Sequence, residues 1–175
     1  MLEIKDLEVY YGVIQAIKGI SFEVNEGEVI ALIGSNGAGK TTTFKAVLGL
    51  ISFNSGKIEL FDKEISELNK EDKRAIGTVM AENGFSTMLK IKEIATIMSA
   101  MYPKFQKEAF LQKCQSYQLP LDKPVKDFST GMKAKLKVLI AMSYDARLLI
   151  LDEPTVGLDY LTRNELLDEM REYMN

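Results

Sequence analysis

The sequence predicts an α/β fold with a parallel sheet at its centre, and three observations predict it. The apolar run Val29–Ile33 leads straight into Gly34-Ser35-Asn36-Gly37-Ala38-Gly39-Lys40-Thr41, a full G-x-x-x-x-G-K-[ST] match. A second run, Arg147–Leu151, is continuous in the way of strands buried on both faces, and it ends at Asp152-Glu153. From Leu89 to Tyr144 the apolar spacing changes to three and four, the period of helices.

The elements follow in order. Residues 2–9 alternate loosely through Leu2, Ile4, Leu7 and Val9 and read as a strand. Residues 20–24 alternate more cleanly, and Asn25-Glu26-Gly27 turns the chain into the 29–33 strand. After the loop, Phe44, Val47, Leu48 and Ile51 share one helical face, with Gly49 a weak point near its end. Asn54-Ser55-Gly56 is a turn before a short strand at 57–61, and another strand is expected at 75–80. Three helices then fill the insert. The first carries Ile91, Ile94, Ala95, Met98 and Met101 and is broken by Pro103; the second runs from about Lys104 to Tyr117. The third carries Met132, Leu136, Leu139 and Ile140, with Lys133, Lys135 and Lys137 on its wetter sides.

Composition narrows the function. At 175 residues, 46% hydrophobic and 27% charged, the chain is one ordinary globular domain. A net charge of −3 and the lack of a basic patch argue against a nucleic-acid partner. The single cysteine, Cys114, excludes an internal disulfide framework and reads as a half-buried helix residue. No apolar stretch nears the ~18–20 residues of a membrane span, and the N-terminus lacks a signal pattern. The expectation is a cytoplasmic protein that meets a membrane only through another chain.

The chemistry starts at the loop. A buried strand ends at Gly34, and the backbone N–H groups that follow can curl around phosphates. Lys40 and Thr41 open a helix whose positive end faces the same anion, so the chain is expected to bind a nucleoside triphosphate. Asp152, just past a buried strand, can hold the Mg²⁺ that Thr41 also ligates. Glu153, one residue on, can polarise an attacking water. Asp152-Glu153 could be merely a polar strand end, but beside a full phosphate loop that reading recedes. Phe128-Ser129-Thr130-Gly131-Met132 opens the third helix of the insert, with Ser129 as a good N-cap. Capping alone would account for it, were it not placed ahead of Asp152 in a chain with a phosphate loop.

These pieces in this order resemble the nucleotide-binding subunits of ATP-binding-cassette (ABC) transporters, over essentially the whole chain. Gly34 to Thr42 matches the family's Walker A and Leu148 to Glu153 its Walker B with catalytic glutamate; Phe128 to Met132 takes the place of the Leu-Ser-Gly-Gly-Gln signature. Gly157-Leu158-Asp159 matches the D-loop. Tyr11, before Gly12, resembles the aromatic that stacks on adenine, with an exposed strand-end residue as the plain alternative. The resemblance implies a P-loop NTPase (RecA-like) core, 1–82 and 146–175, with N-terminal antiparallel strands and a helical subdomain at 83–145. It implies ATP and Mg²⁺ as cofactors, with Gly34, Ser35, Asn36, Gly37, Ala38, Gly39, Lys40, Thr41 and Thr42 around the phosphates and Lys40 and Glu153 catalytic. Ser129, Gly131 and Asp159 would serve the nucleotide of a second ABC subunit, identical or not, in a face-to-face dimer. A separate transmembrane permease would receive the stroke, with the subunit at the inner face of the cell membrane. The insert would touch that permease, Phe85, Met88, Met98, Met101 and Phe105 being candidates for a groove or for core.

Several departures from the pattern shape further expectations. The stretch Ile76–Glu82 aligns with the Q-loop region but holds no glutamine; Ala81 takes its place, or Glu82, which could ligate Mg²⁺. Thr130 and Met132 replace the signature's first glycine and its glutamine, a version similar to the branch serving ABC-2 type exporters. The four arginines, Arg74, Arg147, Arg163 and Arg171, all lie outside the nucleotide motifs. The family's switch histidine has no counterpart in a chain with no histidine that stops at Asn175. The central sheet is therefore expected to lack one strand, leaving a slot beside 29–33 or a neighbour's strand in it, and the chain to be C-terminally shortened. Turnover by these residues alone is expected to be weak. Two other readings stay open: a non-hydrolysing or regulatory nucleotide-binding fragment, and an ABC ATPase outside transport.

Overall fold

A computed structural model describes residues 1–26, 28, 30, 32, 35, 37–80 and 86–174. Strands β1 (Leu2–Tyr11) and β2 (Ile14–Val24) form an antiparallel hairpin closed by Gly12 and Val13. β1 also pairs with β3 (Ser55–Leu60), and β3 with the short β4 (Lys63–Glu64), giving the order β2-β1-β3-β4. The loose alternation of β1 has a physical cause. Asp6, at φ 44°, sits in a bulge between Ile4 and Leu7. The extra residue returns the alternation to the same side, so Leu2, Ile4, Leu7 and Val9 are all buried. These four pack in the first of two compact units, Met1–Lys73.

Helix α1 (Lys40–Val47) turns Thr43, Ala46 and Val47 inward. It stops where the Leu50 N–H donates back to the Lys45 carbonyl at 2.9 Å, with Gly49 at φ 65°. Ile51, expected on its apolar face, therefore lies beyond the helix. Of the expected 29–33 strand, Val29, Ala31 and Ile33 lie outside the described residues, and Ile30 and Leu32 belong to no strand. The slot expected beside that strand falls outside the described residues with them. A short helix, α2 (Lys70–Arg74), reaches the unit boundary, its first turn capped by the Asn69 side chain.

In the second unit, Arg74–Asn175, β5 (Ile76–Val79) and β6 (Leu148–Leu151) pair in parallel, Ile76 against Leu148 through Val79 against Leu151. Parallel strands need a long crossover, and here it carries α3 (Ile91–Met101), α4 (Lys107–Ser116) and α5 (Thr130–Ala141). α5 serves two cores. Its Leu136 and Leu139 join Ile94, Met98, Phe110 and Cys114, while Val138 and Ala141 join Val79, Leu166 and Met170. The last two belong to α6 (Tyr160–Met174), a helix the sequence reading missed. Of the insert's groove candidates, Met98 and Phe105 are core, Met88 and Met101 are exposed, and Phe85 lies outside the described residues. No helix among the described residues is long and apolar enough to cross a membrane.

Burial corrects several sequence expectations. Cys114, expected half-buried, is fully enclosed, and desolvation pushes its thiol up to about 12. A thiol that is neither ionised nor accessible is inert. Native protein at pH 8 should show no reaction with a thiol-reactive dye on the timescale in which the denatured chain titrates completely; full native reactivity would contradict the packing. None of the three α5 lysines expected on wet sides is fully exposed. Lys135 pairs with Glu165 at 2.5 Å over the Tyr117 ring, with its side chain 16% exposed. Lys137 donates to the Met80 carbonyl at 3.3 Å. The buried Glu169 of α6 is paired with Lys113 at 2.8 Å and accepts the Tyr117 hydroxyl, tying α6 to α4.

Candidate functional site

Each unit carries one part of the expected site. In the first, the loop ahead of α1 takes its shape from glycines. Gly37 and Gly39 sit at φ 84° and 87°, a left-handed conformation that glycine adopts without strain. Gly39 is also the N-cap of α1, and a Cβ there would stand 2.8 Å from the Ala16 carbonyl oxygen. The Thr43 N–H and hydroxyl both donate to the Gly39 carbonyl, at 2.8 and 3.0 Å, which fixes the first turn. The Lys40 ammonium curls back to donate to the Ser35 carbonyl at 3.1 Å. Lys40, Thr41 and Thr42 thus open a helix with no acidic residue in its first turn, so its positive end keeps its full pull on an anion. Gly34 and Asn36 lie outside the described residues. Tyr11 is half exposed beside Gly12, so its ring is available to stack.

In the second unit the strand end separates two carboxylates. Asp152, 4% exposed, donates its backbone N–H to the Val79 carbonyl at 2.8 Å. Glu153 is exposed and held at φ 51°. A non-glycine residue in that region costs about 1–3 kcal/mol, and such residues cluster at functional sites. A pocket of about 550 Å³ opens at the carboxyl ends of β5 and β6, where open α/β sheets place their ligands. Its walls include Thr78, Met80, Asp152 and Glu153, with Thr130 and Lys137 from α5.

The remaining expected residues sit at helix starts. The Ser129 hydroxyl caps α5 by accepting the Met132 N–H at 3.2 Å. Gly131 packs against α6, where a Cβ would lie 3.4 Å from a Thr162 methyl. Asp159 caps α6, accepting the Thr162 N–H at 3.0 Å and its hydroxyl at 2.8 Å. The Thr162 N–H bond holds the Asp159 carboxyl below the usual carboxylate range. Glu82 and Ala81 lie outside the described residues. Sequence reasoning missed Lys137 as a pocket residue, because nothing in its spacing separates it from Lys133 and Lys135.

The phosphate-loop residues of the first unit fit a triphosphate. The glycine cradle and the bare helix end suit phosphate. No three His, Cys, Asp or Glu side chains gather as a metal site among the described residues. Magnesium bound through one carboxylate, one hydroxyl and phosphate oxygens requires no such cluster. A carboxylate of that kind is present at Asp152 in the second unit and a hydroxyl at Thr41 in the first.

Comparison with known proteins identifies the family and the fold. Residues 17–156 match the family model described as ABC transporter. The ABC transporter ATP-binding protein YtrB of Bacillus subtilis is 31% identical over 97% of this chain and 58% of its own length. The bacitracin transport ATP-binding protein BcrA of Bacillus licheniformis is 34% identical over 95% of this chain and 55% of its own length. The chain thus spans little more than half the length of these relatives. A solved ATP-binding subunit of an ABC transporter superposes with a TM-score of 0.85 at 29% identity, over 99% of this chain and 75% of that one. The fold is that of a P-loop NTPase with antiparallel N-terminal strands, and the chain belongs to the ABC transporter family.

Proposed function

We propose that the chain is the ATP-binding part of an ABC transporter, coupling ATP binding and hydrolysis to export through a separate permease at the inner face of the cell membrane. The observation that carries this reading is the junction at Gly39–Lys40. There a left-handed glycine pressed against Ala16 starts a helix with a lysine over the loop and no acid in its first turn. The relative named for bacitracin transport supports transport, and the Ser129–Lys133 signature variant supports export.

In this reading residues 34–42 bind the phosphates, Tyr11 stacks on the base, and Lys40 offsets charge on the terminal phosphate. Mg²⁺, when bound, neutralises phosphate oxygens and makes the terminal phosphorus easier to attack. Thr41 and Asp152 hold it, with Glu82 as a further oxygen ligand. Glu153 orients a water and takes its proton. Ser129, Gly131 and Asp159 close over the nucleotide of a second ABC subunit, and residues 83–145 form the subdomain that meets the permease. The retained Glu153 carboxylate favours hydrolysis over a purely regulatory role.

Sedimentation with Mg²⁺ and a non-cleavable ATP analogue tests this. The expected result is analogue binding together with a monomer-to-dimer shift that vanishes on Mg²⁺ chelation. Binding by molecules that stay solitary would remove the dimer and the transport stroke, and absence of binding would remove the function altogether.

A further inference from the structure

Lys137 is part-buried and turns its ammonium toward the end of β5, where a lysine usually reaches for water. It shares one face of α5 with Thr130 and Lys133, which stand seven and four residues earlier along the helix, and that face lines the pocket that also holds Asp152 and Glu153. Placing an ammonium there costs desolvation unless something repays it. One of its contacts is informative. Lys137 Nζ donates to the Met80 carbonyl at 3.3 Å, while the preceding carbonyl, that of Val79, accepts the Asp152 N–H at 2.8 Å. Two successive carbonyls at the end of β5 are thus held from opposite sides, one by α5 and one by the start of the carboxylate pair.

We propose that Lys137 is a positioning residue for Asp152 and Glu153. Acting through Met80 and Val79, it fixes the end of β5 and so fixes where Asp152 leaves β6. The adjacent Glu153, strained at φ 51°, keeps its place only if that junction is held. The helix opened by Ser129 is thereby tied to the carboxylates of its own subunit. Neither the phosphate-loop motif nor the signature assigns Lys137 a part. The inference rests on the reading of Asp152 as a magnesium ligand.

The test is the Mg²⁺ dependence of fluorescent ATP-analogue binding in the whole chain, read alongside binding without metal. Lys137→Met keeps the stem and loses the donor; the Mg²⁺ midpoint should rise about fivefold or more, with metal-free nucleotide affinity within about twofold. Lys137→Arg and Lys137→Gln keep a donor and should restore the midpoint to within about twofold. A lower midpoint in Lys137→Met, the sign expected if the ammonium merely repels the cation, overturns the proposal, as does an unchanged one. If Lys137→Met does not fold, Lys137→Gln against Lys137→Glu decides, since only glutamine can donate to a carbonyl; equal midpoints overturn it. Wild-type protein that binds no nucleotide would instead defeat the functional reading beneath it.

Discussion

Lys40→Met should weaken MgATP binding about 10- to 150-fold while leaving stability within about 1 kcal/mol. Hydrogen bonds to charged groups contribute about 1.5–3 kcal/mol, and 1.4 kcal/mol is tenfold in affinity. The loss is partial because the loop's backbone N–H groups and the α1 terminus, which also attract phosphate, survive the substitution. Losing the solvent-exposed bond to the Ser35 carbonyl costs little stability. Lys40→Arg should recover only part of the affinity, since a planar fork does not replace a compact point charge in a tight loop. Calorimetric titration of parent and variant, with thermal unfolding of both, checks the split. Equal affinities would mean that this loop is not the phosphate site. A fall in stability matching the fall in affinity would mean that Lys40 acts structurally.

The elements legible in the sequence were those whose pattern comes from one local rule. β1 and β6 are readable through alternation or a continuous apolar run, β3 through the turn before it, and α3 and α5 through spacing, because each buries one simple face. The Ser129 cap was legible because a short hydroxyl before a helix has few other uses. α6 was not, because its burial rests on Leu166 and Met170 with an enclosed Glu169 between them. That carboxylate is tolerable only beside Lys113 and Tyr117 of a distant helix, and such pairing leaves no trace in local spacing. The same holds for the inward turns of Lys135 and Lys137. In the site, the phosphate loop and the Asp152-Glu153 pair could be read because their spacing is the chemistry. The left-handed backbone of Glu153 depends on tertiary context, and the Asp159 cap, a local contact to Thr162, went unread together with α6.

Gly77→Val should abolish cooperative folding of the second unit, and Gly77→Ala should cost about 3 kcal/mol. Gly77 lies in β5, paired with Leu149 of β6. A Cβ there would come within 2.4 Å of the Leu149 Cδ2, 2.5 Å of the Ala141 carbonyl oxygen and 3.1 Å of the Ala146 Cβ. The Leu149 methyl ends a flexible side chain and can turn aside. The Ala141 carbonyl is backbone at the end of α5, and moving it shifts the helix that both cores of this unit share. Overpacking of this kind typically costs about 1–3 kcal/mol, with more where backbone must move. The double variant Gly77→Ala/Leu149→Ala should regain only part of the loss, because the carbonyl clash remains when the methyl clash is gone. Urea denaturation followed by circular dichroism, with hydrogen exchange at the β5 and β6 amides, reads both effects. A Gly77→Ala protein within about 0.5 kcal/mol of the parent would show that α5 does not press on β5 at this point. The inward path of Lys137, one turn earlier on the same helix, would lose its support as well.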